Sequence, residues 1–312
     1  MTTALGIVVP CYNEQEVLPE TAKRLLELMS RLQNTGVITS DSAIYFVDDG
    51  SKDSTWQLIQ NLAAQDIRVH GVKLSRNKGH QNALLAGLSV AKEDAVVTVD
   101  ADLQDDINVI EEMVQRFSEG CEIVYGVRMS RTVDTAFKRG TAQIYYKVLE
   151  SVGVEIIYNH ADYRLMSQRA VRHLQEYSEV NLFLRGIIPL LGFPTGTVYY
   201  DRSARFAGES KYPLRRMLAL AFDGITSFSV TPLRFIAALG LAVFLMSFAM
   251  VAWVLYGRLF MDAAIPGWAS SVIPIYFLGG IQLLSIGVVG EYVAKIYMET
   301  KRRPRFSIET VV

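Results

Sequence analysis

Ala95-Val-Val-Thr-Val-Asp-Ala-Asp-Leu-Gln104 is a β-branched apolar run that stops abruptly in acidic and amide side chains. A run of this kind reads as a strand buried on both faces, the pattern of a parallel sheet. Three others end the same way. Leu5 to Pro10 runs into Cys-Tyr-Asn-Glu, Ala43 to Val47 into Asp-Asp-Gly-Ser, and Val69 to Leu74 is followed by Asn-Lys-Gly-His. A fifth run covers Glu122 to Val127. After the first run, Ala22, Leu25, Leu26, Met29 and Leu32 recur at helical spacing; further helices fit Ser54 to Ala64, His80 to Ala91 and Asn108 to Phe117. Strands alternating with helices predict an α/β fold with a mostly parallel sheet. Such sheets bind ligands outside the carboxyl ends of their strands, so four polar clusters at four strand ends imply one shared cleft.

Outward from this region the chain changes character. Half of its 312 residues are hydrophobic, yet charges thin out after Arg234, which indicates a polar front and an apolar tail. Residues 130 to 212 have weak periodicity, with a strand expected near Thr197 to Arg202, and are read as the acceptor half of the cleft. In 213–231 apolar residues alternate with Arg215, Arg216 and Asp223, which suits interfacial amphipathic helices. From Leu233 to Tyr256 the only charge is Arg234, and at the helical rise this stretch spans roughly 36 Å. A second apolar stretch begins at Trp268. Residues 232–297 therefore predict a two-helix transmembrane hairpin, with spans at about 233–256 and 268–292. A buried soluble hairpin is the alternative. Lys301, Arg302, Arg303 and Arg305 follow the second span, and 298–312 reads as a basic tail. By the positive-inside rule both termini and the 1–212 domain face the cytoplasm of an inner-membrane, multi-pass protein.

With 31 basic and 32 acidic residues the net charge is −1, which offers no field for nucleic acid. Cys11 and Cys121 are too few for a disulfide framework. No basic residue precedes Lys23, so no secretory signal is expected at the start.

If Asp100 to Gln104 is extended, alternation puts residues 100, 102 and 104 on one side, where two carboxylates and an amide oxygen converge as hard ligands for Mg²⁺ or Mn²⁺. An acidic turn capping the next helix, or a calcium loop closed by Glu111, fits the same residues, although Asp105 stands where a calcium loop needs glycine. Asp48 and Asp49 offer hydrogen-bond acceptors to a base or ribose, or make a turn before a helix. The histidines at 80 and 160 have no metal-ligand partners at sensible spacing and read as structural or peripheral.

Val8-Val-Pro-Cys-Tyr-Asn-Glu14, Val47-Asp-Asp-Gly-Ser51, Asn77-Lys-Gly79, Asp100-Ala-Asp-Leu-Gln104, Gly126-Val-Arg128 and Arg205-Phe-Ala-Gly-Glu-Ser-Lys211 occur in this order. Together they resemble the family-two inverting glycosyltransferases of the GT-A (Rossmann-like) fold. With the two-span tail they are most similar to polyprenyl-phosphate glycosyltransferases of the bactoprenol glucosyltransferase and dolichol-phosphate mannose synthase kinds. The resemblance implies that Pro10, Tyr12, Glu14, Asp48 and Asp49 cradle the nucleoside, with Lys78, Asn82 and Asp100 on the nucleotide side. It implies metal on Asp100, Asp102 and Gln104. Asp162 falls beside the acceptor, and Arg128, Arg139, Arg205, Ser210 and Lys211 would bind lipid phosphate; Asp162, Asp102 and Arg128 form the expected catalytic set.

The implied reaction moves a sugar from a nucleotide sugar, UDP-glucose first, to a polyisoprenyl (undecaprenyl) phosphate at the bilayer. GDP-mannose, UDP-galactose and UDP-aminoarabinose are alternative donors. The resemblance further implies a homo-oligomer, with a tetramer as one arrangement, and a separate flippase for the product. A processive polysaccharide synthase would carry Gln-x-x-Arg-Trp, but Trp56, Trp253 and Trp268 are the only tryptophans. A dinucleotide-binding oxidoreductase would need a glycine-rich turn after the first strand. A non-catalytic, membrane-tethered nucleotide binder is the rival from another class.

Overall fold

The computed structural model describes residues 2–129, 160–179, 184–201, 231–260 and 267–312. It divides into two units, Met1–Arg216 with Arg302–Val312, and Met217–Lys301.

In the first unit the described strands are β1 (Leu5–Cys11), β2 (Ala43–Asp48), β3 (Val69–Leu74), β4 (Ala95–Thr98), β5 (Ile123–Arg128), β6 (His160–Ser167), β7 (Thr195–Tyr200) and β8 (Ile308–Val311). They form one sheet in the order β7-β5-β6-β4-β1-β2-β3-β8. β1 lies parallel between β2 and β4, and β2 is parallel to β3, as the buried runs require. β5 and β7 are parallel to each other, while β6 runs antiparallel between β4 and β5.

Helices α1 (Leu18–Asn34), α2 (Thr55–Gln65), α3 (His80–Val90) and α4 (Val109–Ser118) follow the first four strands. Leu5, Ile7 and Val9 of β1 join Leu18, Ala22, Leu25, Met29 and Leu32 of α1 in one core. Replacing a leucine with alanine in such a core costs about 2–5 kcal/mol. Val8 faces the other side, where a Cβ on Gly87 of α3 would come within 2.4 Å of its methyl. The sheet is thus covered on both faces, as parallel strands demand.

Two strands were not anticipated. β6 contains Arg164, fully buried, and so lacks the apolar alternation that marks a strand. β8 comes from the segment expected to be a tail: it pairs antiparallel with β3, Gly71 and Val312 exchange backbone hydrogen bonds at 2.8 and 2.9 Å, and Lys73 meets Glu309 at 3.1 Å. A Cβ on Gly71 would lie 2.8 Å from a Val312 methyl, so glycine admits the last residue of the chain. α5 (Gln168–Glu176), capped by Ser167 Oγ accepting from Ala170 N, and the short α6 (Leu184–Leu190) complete the unit.

The second unit holds α7 (Thr231–Phe260) and α8 (Trp268–Thr300), 30 and 33 residues long. Among the described residues one stretch, Phe277–Thr300, is long and apolar enough to cross a membrane; the apolar segment Thr231–Met246 of α7 is shorter. The expected pair of spans is therefore met here by one such helix and a shorter apolar segment.

Candidate active site

The loops after β1 and β2 are laced together. Asn13, at φ +55°, donates its backbone N–H to Ser51 Oγ at 3.0 Å, and its side-chain oxygen accepts from Lys52 N at 2.8 Å. Glu14 N donates to Thr55 Oγ1 at 2.9 Å, and Gln15 N to Asp53 at 3.3 Å. Pro10 lies inside β1 opposite Val47, and Tyr12 is exposed at the loop tip. Asp48 is fully buried; Oδ1 accepts from Ser51 N at 3.2 Å, Oδ2 has no hydrogen-bond partner, and burial raises its pKa.

Asp49 is engaged with the backbone of another loop. Its two oxygens accept the backbone N–H groups of Lys78 at 2.6 Å and Gly79 at 2.9 Å. It thereby ties the loop before α3 to the end of β2. Gly50 completes the joint: its φ is +68°, and a Cβ there would strike Asn77 N at 2.6 Å. Asn82 bonds back to the Lys78 carbonyl at 2.8 Å and braces the same loop. Asp49 and Asn82, expected at the nucleotide, shape the loop, and Lys78 is positioned through its backbone.

The segment after β4 overturns the alternation argument. β4 ends at Thr98, residues 101 and 102 form a turn, and Leu103 takes φ +55°, in the left-handed region. Period-two alternation holds only for extended backbone, so Asp100, Asp102 and Gln104 do not share a strand face. Asp102 Oδ1 accepts from Gln104 N at 3.2 Å across the turn. Asp100 pairs with His80, Nε2 to Oδ1 at 2.8 Å. His80, expected to be structural or peripheral, therefore lies against one of the candidate site carboxylates. Burial works against its charge, but the bond to Asp100 and the charges of Asp100 and Asp162 raise its pKa; burial likewise works against ionised Asp100, and His80 holds its pKa down.

β6 brings Asp162 to the same sheet end. Thr98 pairs in register with Arg164, and Thr98 Oγ1 donates to the Asp162 carbonyl at 2.6 Å. The Asp162 carboxylate receives two guanidinium groups. Arg164 Nη2 reaches Oδ1 at 2.5 Å, while Arg185 of α6 forks over both oxygens, Nε to Oδ1 and Nη2 to Oδ2, each at 3.2 Å. Burial alone would raise the Asp162 pKa, but Arg185, Arg164 and His80 bring it well below the carboxylate range. Arg185 was missed because its role depends on pairing with a residue on another element. Arg128 pairs with buried Asp105 at 3.0 Å, and Tyr200 donates to the same oxygen at 2.6 Å. Arg139, Arg205, Ser210, Lys211 and the amphipathic stretch at 213–230 lie outside the described residues.

Among the described residues no group of three or more His, Cys, Asp or Glu forms a metal cage. The donors fit a different arrangement, in which one or two carboxylates hold Mg²⁺ or Mn²⁺ and substrate phosphates and water complete the shell. Asp100 and Asp102, hard oxygen donors on one turn, meet that requirement.

A doubly covered, mostly parallel sheet with acidic loops at its carboxyl ends defines an α/β protein of the GT-A type. The glycosyl transferase family 2 model matches residues 6–175, more than half of the chain, and the chain belongs to that family. It is a glycosyltransferase. An uncharacterized glycosyltransferase of Bacillus subtilis, YkoT, is 52% identical over 98% of this chain and 91% of its own length. The prophage bactoprenol glucosyl transferase homolog of Escherichia coli is 38% identical over 98% of this chain and 99% of its own. The bactoprenol glucosyl transferase of Shigella phage SfV is 39% identical over 98% of each chain. Among solved structures, glucosyl-3-phosphoglycerate synthase of Mycobacterium tuberculosis, crystallised with Mn²⁺, UDP-glucose and phosphoglyceric acid, is 18% identical over 72% of this chain and 78% of that one, with a TM-score of 0.48.

Proposed function

We propose that this chain transfers glucose from UDP-glucose to a polyisoprenyl phosphate, with inversion at the sugar carbon. The observation that carries the reading is the junction of β4 and β6. There the acidic turn at Asp100–Asp102 adjoins Asp162, with His80, Arg164 and Arg185 interleaved among the carboxylates. A reaction between two phosphate-bearing substrates needs negative charge managed on both. Relatives matched over 98% of this chain and named bactoprenol glucosyl transferases support glucose as the sugar and a bactoprenol-type acceptor.

Asp48 and the braced loops after β1 and β2 would hold the nucleoside. Asp100 and Asp102 would hold Mg²⁺ or Mn²⁺, which supplies charge neutralisation to the departing nucleotide diphosphate. The acceptor phosphate, with a second pKa of about 6, is already largely dianionic at neutral pH. Little deprotonation is needed, and a carboxylate held as far below its usual range as Asp162 is a poor base. Asp162 instead orients the acceptor side and stabilises positive charge developing on the sugar.

The membrane part of the reading is a two-span hairpin in the cytoplasmic membrane, with both termini inside. α7 and α8 are each long enough at the helical rise. Phe235, Leu241, Phe244, Leu283 and Leu284 are exposed on them, as lipid-facing residues would be. The chain leaves the first unit before α7 and returns to it as β8, and a segment whose two ends belong to one folded unit crosses a bilayer an even number of times.

A screen of nucleotide sugars against undecaprenyl phosphate, scored by mass spectrometry of the lipid, tests this. The expected product is a glucosyl monophosphoryl lipid. Transfer of a different sugar would correct the donor alone; a sugar diphosphoryl lipid, or no glycolipid with any donor, would overturn the reaction.

A further inference from the structure

The acidic turn after β4 is held by side chains from other elements. Thr21 Oγ1 of α1 donates to the Ala101 carbonyl at 2.7 Å, and Tyr163 Oη of β6 donates to the Asp106 carbonyl at 3.0 Å. Tyr200 Oη of β7 donates to Asp105 Oδ1 at 2.6 Å, and Arg128 Nη2 of β5 donates to the same oxygen at 3.0 Å. Arg128 Nε donates in turn to Tyr200 Oη at 3.3 Å, so carboxylate, phenol and guanidinium close a ring of contacts. The Asp105 side chain within it is 2% exposed.

This clamp is built into the sheet. Arg128 and Tyr200 are partners in the parallel register of β5 and β7, which puts their side chains on one face. A Cβ on Gly126 would lie 2.8 Å from the Tyr163 ring and 3.1 Å from the Tyr200 ring. Glycine in β5 thus lets both rings close in, and they meet edge to face with centroids 5.4 Å apart. Between the anchored Ala101 and Asp105 lie Asp102 and Leu103, and Leu103 is held at φ +55°. A left-handed residue other than glycine persists only where its surroundings over-determine it. The clamp on Asp105 supplies that constraint just past the strained Leu103.

We propose that Asp105 is a positioning residue for the donor's metal: clamped by Tyr200 and Arg128, it holds the turn in the shape that presents Asp102. Arg128, expected at the acceptor's phosphate, thereby serves the donor side. The assignment rests on Asp100 and Asp102 holding Mg²⁺ or Mn²⁺.

Full-length Tyr200→Phe, Asp105→Ala and Asp105→Asn proteins in detergent test it. Mn²⁺ affinity is read by electron paramagnetic resonance of the free ion at saturating UDP, and metal-free UDP affinity by calorimetry in chelator. Tyr200→Phe removes a single oxygen and is expected to weaken Mn²⁺ binding about 10-fold, the equivalent of one lost hydrogen bond to a charged group. Asp105→Ala should weaken it further, and Asp105→Asn, which keeps an acceptor oxygen for Tyr200, should fall between wild type and Asp105→Ala. Metal-free UDP affinity and the KM for undecaprenyl phosphate should stay within about two-fold of wild type in Tyr200→Phe, which also serves if Asp105→Ala does not fold. A lower melting temperature with unchanged Mn²⁺ affinity would make the cluster purely structural. A higher KM for lipid phosphate with unchanged Mn²⁺ affinity would assign Asp105 to placing Arg128 at the acceptor. Either overturns the proposal. Metal-dependent UDP binding that every variant retains at the wild-type level sinks this proposal and leaves the metal reading standing; a wild-type protein that binds UDP equally with and without Mn²⁺ sinks both.

Discussion

Asp49 follows β2 and Asp162 lies on β6, with β1 and β4 between them in the sheet; both are largely buried, and the protein holds them by opposite means. Asp49 accepts two backbone N–H groups from the loop before α3; Asp162 accepts two guanidinium groups from side chains on β6 and α6. The donor half of the cleft is braced through main chain, and its acids mainly give loops their shape. The β6 half is braced through charge, by Arg164 and Arg185 on Asp162. Backbone bracing gives a rigid pocket for a base and ribose, whereas paired charges keep a buried carboxylate ionised.

The sharpest way to break this comparison is at the turn between the halves. Asp102→Ala should cut glycolipid formation by about 100- to 1000-fold if charge on the leaving diphosphate is managed there; undiminished turnover would remove the metal from the reading. Next comes Asp49→Ala. Losing two hydrogen bonds to a buried carboxylate should lower the free energy of unfolding by about 3 kcal/mol and weaken donor binding, measured by denaturation in detergent and by nucleotide titration. A variant as stable as wild type would mean the loop before α3 is held by other contacts.

Acid titration sharpens the other half. Because the Asp162 pKa is depressed on folding, its ionised form contributes stability that is fully present above the unfolded value of about 3.9. That contribution is lost as pH falls through the folded value. The gap in stability between wild type and Asp162→Asn should therefore widen as pH falls through the titration of His80, whose pKa Asp162 helps raise, and shrink below about 4; a gap that widens below about 4 would contradict the arginine clamp. The smallest effect belongs to Glu20→Gln in the first turn of α1. Its bond to Arg24 is an exposed i,i+4 pair, and no change in melting temperature is expected.

Much of the first unit was legible because its signals are local. β1 to β5 and α2 to α4 lie within a residue or two of the runs and patterns that foretold them, α1 begins four residues before the repeat that starts at Ala22, and β7 falls on the strand expected near residue 197. β6 was not legible, since a buried arginine breaks the apolar pattern and is tolerated only beside Asp162. β8 was hidden for a related reason: Lys73 and Glu309, which meet at the sheet edge, are 236 residues apart in the chain. At the site, Asp48 and Asp100 were placed by strand ends, whereas Asp162 was expected only from the family resemblance and lies inside β6. The partners His80 and Arg185 were not placed, because a partner is a relation between elements and leaves no spacing of its own.

By itself, then, the sequence determined the segments of β1 to β5, β7 and α1 to α4, that the later part of the chain is apolar, and that acids gather where strands end. Burial of apolar side chains sets those choices residue by residue, and periodicity records it. Only the tertiary structure decided that the Asp100–Gln104 segment turns, that Asp49 braces a loop, that His80 holds Asp100 and that two arginines share Asp162. Each of these depends on a hydrogen bond or ion pair whose direction and length exist only after the chain has folded.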